Sequence, residues 1–127
     1  MEAVQEVQVR PAEPEVTAQA LRQAGVTPPL ACDSPEQIAS GGQCFEMQTP
    51  DGKSAFVLRR QGLVLWVDGA GVIEGTGQLA RGLELAKEIA RELGCTEVAF
   101  ESNRIGLVRA AAMHGYQVAG FIVKAKV

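Results

Sequence analysis

Residues 63–101, LVLWVDGAGVIEGTGQLARGLELAKEIARELGCTEVAFE, decide the fold. Leu63-Val64-Leu65-Trp66-Val67 is an uninterrupted apolar run of the kind carried by strands covered on both faces. From Gln78 to Leu93, Leu79, Leu83, Ala86, Ile89, Ala90 and Leu93 recur at helical spacing, while Arg81, Glu84, Lys87, Glu88, Arg91 and Glu92 cover the opposite side. Gly94 stops that helix, and Thr96 to Glu101 reads as a further strand. A strand, a helix of about sixteen residues and a second strand require a right-handed parallel crossover. Between the first strand and the helix, Asp68 to Gly77 reads as a glycine-rich loop. Such a loop is either an anion cradle at the helix mouth or a plain structural turn.

Upstream, Val4, Val7 and Val9 alternate with polar residues as in a short strand that Arg10-Pro11 ends. Glu13 to Ala24 predicts a helix with acids in its first turn and Gly25 as its stop. Val26 to Gly42, rich in proline and glycine, reads as loop, with one helical turn at Ser34 to Ala39 capped by Ser34. Cys44 to Met47, the turn Thr49-Pro50-Asp51-Gly52 and Ala55 to Leu58 predict a hairpin, followed by a second turn at Arg59-Arg60-Gln61-Gly62. Downstream, Ser102-Asn103 caps a helix running to His114 with Gly115 as its stop. Tyr116 to Val127 predicts one long strand, or a tight pair pivoting at Gly120. The whole is a single α/β (α+β) domain, 1–127, with antiparallel strands first, a parallel βαβ unit second, and helices on both faces of a mixed sheet. The alternation Phe121, Val123, Ala125, Val127 would leave an open edge, which a second copy could cover as a homodimer.

Composition narrows the function. A chain of 127 residues with 46% apolar content fills one core and excludes a two-domain enzyme. Twelve basic against fifteen acidic residues give a net charge of −3, and aromatics are 5%, so neither phosphate-backbone binding nor base stacking is expected. Three cysteines without a C-x-x-C pair, and a single histidine, give no disulfide framework and no metal site. No stretch approaches the roughly 20 apolar residues of a membrane span, and the acidic start MEAVQEVQV is not a signal peptide. A reduced cytoplasmic protein without a membrane partner is expected.

The order of elements, with several strings, resembles the GNAT superfamily of acyl-CoA N-acyltransferases over nearly the whole chain. Val9-Arg10-Pro11-Ala12-Glu13-Pro14-Glu15 is similar to its opening strand and first helix, and Ala86 to Cys95 (AKEIARELGC) to the end of its cofactor helix. Val98 to Tyr116 (VAFESNRIGLVRAAAMHGY) is similar to its fifth strand, fourth helix and Gly-aromatic stop. Short GNAT-like proteins of bacteriophages carry a comparable ending, which Gly115-Tyr116 and Phe121 to Lys124 resemble; for a phage protein the compartment would be the host cytoplasm.

The resemblance implies acyl transfer from acetyl-CoA or another acyl-CoA to the amine of a small molecule or protein. It implies a pyrophosphate loop of pattern Q/R-x-x-G-x-G/A. Glu74 to Leu79 falls on that pattern with Gly77 as its match, while Glu74 replaces Gln or Arg and Leu79 a small residue. Gly75, Gly77 and Gly82 with Arg81 offer an alternative grip one register along. The implied cofactor contacts are therefore Val67, Gly75, Gly77, Gln78, Leu79, Ala80, Arg81 and Gly82. The family's acidic tyrosine position is occupied by Ala111, and Tyr116 stands at the structural aromatic position. Asp68 and Glu101, ending two neighbouring strands, are the candidate general bases; the competing reading makes Asp68-Gly69 a turn and Glu101 a neighbour of a helix start. A noncatalytic GNAT-fold interaction protein is the alternative function. His114 reads as a helix-end or surface group, Cys95 as a buried apolar residue, Cys32 as the exposed thiol, and Trp66 as core.

Overall fold

The computed structural model describes residues 7–25 and 34–127. A five-stranded sheet is laid out in chain order: β1 (Gln8–Pro11), β2 (Gln43–Thr49), β3 (Gly52–Gln61), β4 (Val64–Gly75) and β5 (Glu97–Ala99). Strands β1 to β4 are antiparallel neighbours, and β4 pairs with β5 in parallel across Val64–Trp66 and Glu97–Ala99. That last pair is the crossover required by residues 63–101, and with it the mixed α/β sheet stands as expected.

Helix α1 (Pro14–Ala24) and the one-and-a-half turns of α2 (Pro35–Ser40) cover one face of the sheet; α3 (Leu79–Glu92) covers the other. Pro14 opens α1, where its missing N–H costs nothing, and Gly25 closes it in the left-handed conformation at φ 65°. Ser34 and Gln37 form a reciprocal capping box at the start of α2. On the α1 side Ala18, Leu21, Ala39, Cys44 and Val57 form one buried cluster; on the α3 side Leu58, Leu65, Ala90 and Cys95 form another, with Phe45 and Phe56 stacked beside it. Helix α4 (Ile105–Ala112) follows β5.

Five expectations are corrected. Arg59, Arg60 and Gln61 are not a turn but the end of β3, paired with Trp66, Leu65 and Val64. Asp68 to Gly75 is not a loop either: β4 runs through it. The glycines there serve close packing, since a Cβ on Gly69 would lie 2.9 Å from Leu21 Cδ2 and one on Gly71 would overlap the Ala20 carbonyl of α1. Ser102 does not cap α4; Arg104 is its first flanking residue, and the Ser102 hydroxyl accepts from the Arg104 N–H at 3.0 Å. Tyr116 to Val127 is not a strand and pairs with none of the described strands. β5 itself is shortened to three residues. Val4 and Cys32 lie outside the described residues.

Candidate active site

The site is built by an interruption in β4. The β3–β4 ladder shifts register between Val57 and Leu58: Leu58 opposes Val67 and Val57 opposes Gly69, which leaves Asp68 as the extra residue of a β-bulge. Past Trp66, β5 no longer accompanies β4, which continues to Gly75 beside β3 alone. The bulge thus sits where the two parallel strands part, with Val67 and Asp68 at the apex of the gap.

Arg59 fixes the bulged residue. Its Nε donates to Asp68 Oδ2 at 2.9 Å and its Nη2 to Asp68 Oδ1 at 3.2 Å, and its guanidinium lies 5.7 Å from the centre of the Trp66 ring. The hydrogen bond to Asp68 holds the Arg59 pKa above its ordinary value, and the charges of Asp68 and Glu101 add to this. Asp68 is therefore neither a turn residue nor an unengaged carboxylate. Glu101 is exposed just beyond β5, close enough to act on Arg59 through space. The structure thus puts Asp68 at the apex of the gap and Glu101 just past the end of β5, near enough for its charge to reach Arg59. Trp66, expected as core, is half-buried under Arg59.

At the other end of the gap stands the mouth of α3. Gln78 flanks the helix without a capping side chain, no acid lies in its first turn, and the first intrahelical bond is Gly82 N–H to the Gln78 carbonyl at 2.9 Å. The N–H groups of Leu79 and Ala80 precede that bond and point out of the helix start. The Gln78 carboxamide is enclosed with neither its nitrogen nor its oxygen hydrogen-bonded. Unsatisfied donors beside an unpartnered buried amide are the environment an anion completes.

The two substitutions that depart from the GNAT loop pattern do not obstruct this mouth. Gln48, Lys53 and Glu74 are partners across the ladder and share the face of Glu46, Ala55 and Gly71, which α1 covers. Glu74 is thus directed away from α3. Leu79 is 45% exposed, so it does not plug the helix. Gly77 and Gly82 leave room: a Cβ on Gly77 would meet only Val72 Cγ2 at 3.5 Å, and one on Gly82 nothing within 4 Å. The residues present therefore fit a diphosphate.

In α4, the position where the GNAT resemblance places a tyrosine is held by Ala111. Ala111 is 2% exposed, and its carbonyl accepts from the N–H groups of His114 and Tyr116. Tyr116 turns its hydroxyl to the Leu83 carbonyl of α3 at 2.7 Å, packs 5.6 Å from Phe100, and is pushed up to about 12 by burial and by the charge of Glu84. Lys87 lies over the same ring and donates to the His114 carbonyl, while His114 Nδ1 meets Glu84 Oε1 at 3.1 Å. This clasp joins α3 to α4. At the other side Arg104 donates to the carbonyls of Ala24 and Gly25 at 2.9 and 3.1 Å, tying the start of α4 to the end of α1. Arg59 was missed in the sequence, because the basic pair after an apolar strand looked like a turn.

On the α1 face, an open groove of about 330 Å³ runs between α1 and the distal part of β4, with Val16, Ala20 and Ile73 as its apolar lining and Glu15, Gln19 and Gln23 as its polar rim. Among the described residues no group of His, Cys, Asp or Glu is arranged to hold a metal ion, and no helix is long and apolar enough to cross a membrane.

No protein-family model matches the sequence, and neither does any curated protein. Solved structures do match. Glucosamine-6-phosphate N-acetyltransferase from Arabidopsis thaliana aligns at TM-score 0.58 and 12% identity, covering 95% of this chain and 98% of that one. AAC(6')-Iy, in complex with the bisubstrate analogue CoA-S-monomethyl-acetylneamine, aligns at TM-score 0.60 and 13% identity over 96% and 98% of the two chains. A transcriptional regulator from Bacillus halodurans C-125 aligns at 0.63 and 13% over 96% and 100%. At these identities the likeness is one of fold: the five-stranded mixed sheet and its helices have the GNAT fold.

Proposed function

We propose that the protein is an acyl-CoA N-acyltransferase that moves an acetyl or related acyl group to an amine. The observation that carries this reading is the bulge at Asp68 where β4 leaves β5, together with the uncapped start of α3 on the same stretch of chain. The N–H groups of Leu79 and Ala80 and the carboxamide of Gln78 would hold the pyrophosphate, with Gly75, Gly77 and Gly82 giving it close approach. Bound acyl-CoA supplies an activated thioester carbonyl. Val67, at the apex, offers its backbone to the acyl end. Glu101, exposed just beyond β5, takes the proton from the incoming ammonium, while Asp68, held by Arg59, fixes the bulge. With Ala111 in place of a donor, the leaving thiolate takes its proton from water. The acceptor amine arrives along the groove on the α1 face, where Glu15 supplies a carboxylate for a cation.

Thermal shift and calorimetry with acetyl-CoA and free CoA test this. A ligand at 100 times its dissociation constant stabilises the fold by about 2.7 kcal/mol. Gly77→Val, which the space around Gly77 tolerates, should fold and lose the shift. A melting curve unmoved by millimolar CoA would overturn the proposal. An unchanged single-turnover rate in Glu101→Gln would remove Glu101 from its role while leaving the cofactor site in place.

A further inference from the structure

The two sides of the gap are not held together by strand pairing. The parallel ladder ends at Trp66 and Ala99, so no ladder bond between β4 and β5 fixes Glu101 relative to the bulge at Asp68. Glu101 lies in the short connection from Phe100 to Arg104 that joins β5 to α4. At its start, the Phe100 ring packs against Tyr116. At its end stands Arg104. The Arg104 N–H donates to Ser102 Oγ at 3.0 Å, which closes the connection on itself. The Arg104 side chain leaves it altogether: Nη2 donates to the Ala24 carbonyl at 2.9 Å and to the Gly25 carbonyl at 3.1 Å, 80 and 79 residues away in the chain.

Those two carbonyls end α1. A helix leaves its last carbonyls without intrahelical partners, and the negative end of its dipole favours a cation there. Arg22, the basic residue in the last turn of α1, is engaged elsewhere, with Gln19 and Glu36, so the cation that meets these carbonyls comes from across the gap. The same turn of α1 also lies on β4 just past the bulge. A Cβ on Gly69 would touch the buried Leu21, and one on Gly71 the Ala20 carbonyl. The last turns of α1 therefore touch β4 directly and the Glu101 connection through Arg104.

We propose that Arg104 is a positioning residue, a strut from the start of α4 to the end of α1 that sets Glu101 relative to Asp68 where strand pairing has stopped. The role of Glu101 rests on the transferase reading; the strut itself does not. One nitrogen with two N–H groups in a fixed plane serves both carbonyls, a geometry that a lysine ammonium reproduces only in part.

Backbone 15N relaxation of the full chain reads the strut without any ligand. In the wild type the amides of Glu101, Ser102 and Asn103 should be as ordered as those of β5, with order parameters of about 0.85. In Arg104→Ala they should fall below about 0.6, with β3 and β4 unchanged, and Arg104→Lys should recover part of the loss. With acetyl-CoA as donor and hexylamine as the probe amine, Arg104→Ala should lower kcat about tenfold and leave the KM for acetyl-CoA unchanged. In a Glu101→Gln chain the same change should add nothing further, because the strut acts through Glu101. Wild-type amides at 101–103 that are already disordered, order parameters indifferent to Arg104→Ala, or a kinetic loss that adds in full to that of Glu101→Gln would each overturn the proposal. A wild-type chain that neither binds nor turns over acetyl-CoA would instead overturn the transferase reading, and with it the role of Glu101, while the relaxation result would still decide the strut.

Discussion

Arg59 grips Asp68 with both arms of its guanidinium, at 2.9 and 3.2 Å, across the point where the β3–β4 ladder slips by one residue. The bulge removes one residue from the ladder, and the ion pair restores a link there. Because the Arg59 side chain is 41% and that of Asp68 24% exposed, solvent screens the pair. A double-mutant cycle of Arg59→Ala and Asp68→Ala, followed by urea unfolding, should therefore return a coupling of about 0.5–1.5 kcal/mol. A coupling indistinguishable from zero would mean that the bulge holds itself.

Glycines in β4 give a sharper contrast. Gly71→Ala drives a methyl into the Ala20 carbonyl, and α1 must move to admit it, at a cost of about 1–3 kcal/mol. Gly82→Ala, inside α3 with open space around it, should instead stabilise by about 1 kcal/mol, the helix preference for alanine over glycine. The two melting temperatures should move in opposite directions; a shift of the same sign for both would contradict the packing described for α1 on β4.

The same glycines explain what the sequence showed and what it hid. Residues 63–101 announced their crossover because helix period and apolar strand are local signals, and α1, α2 and the Pro50–Gly52 hairpin were legible for the same reason. Asp68 to Gly75 read as loop because Gly69 and Gly71 look like breakers until α1 is laid against them. Arg59-Arg60 read as a turn because a charged pair has no strand signature; only the Asp68 contact makes it one. Of the candidate site, the start of α3 and the position of Asp68 in the strand that pairs with β5 were legible. That Glu74 lies on the far face depends on ladder register, which no local pattern encodes. The tail misled in the other direction: its alternation is that of a strand, yet it pairs with none of the described strands.

Tyr116 is the sole tyrosine, so its titration can be followed directly by absorbance. Burial raises the phenol to about 12, hence the folded protein favours the neutral form. The stability this contributes is complete below pH 10 and is lost as pH rises toward 12. Phenolate absorbance in the folded protein should lag a model tyrosine by about two pH units, and a midpoint near 10 would show the ring to be in water. Tyr116→Phe removes the bond to the Leu83 carbonyl but leaves the ring packed on Phe100, so it should cost only about 1 kcal/mol.

Acid should act at the opposite end of the same clasp. Glu84 accepts from His114 at 3.1 Å and lies 3.6 Å from Lys87, and the hydrogen bond to His114 leads the causes that lower its pKa below 4.5, with Lys87 adding to them. A depressed carboxylate contributes stability that is present above pH 4.5 and is lost as the pH falls through its folded value. Glu84→Gln should therefore flatten the acid limb of the stability profile by lowering the neutral plateau, and only modestly, since the pair is exposed. Melting temperatures of wild type and variant, measured from pH 3 to 7, decide it: the two curves should converge toward pH 3 and separate above pH 5. Parallel curves would place the acid sensitivity elsewhere, and a gap that widened on acidification would reverse the sign of the contact. Hydrogen exchange at the α4 amides gives the structural counterpart, because loosening of the clasp in acid would free the end of α4 before the β3–β4 core.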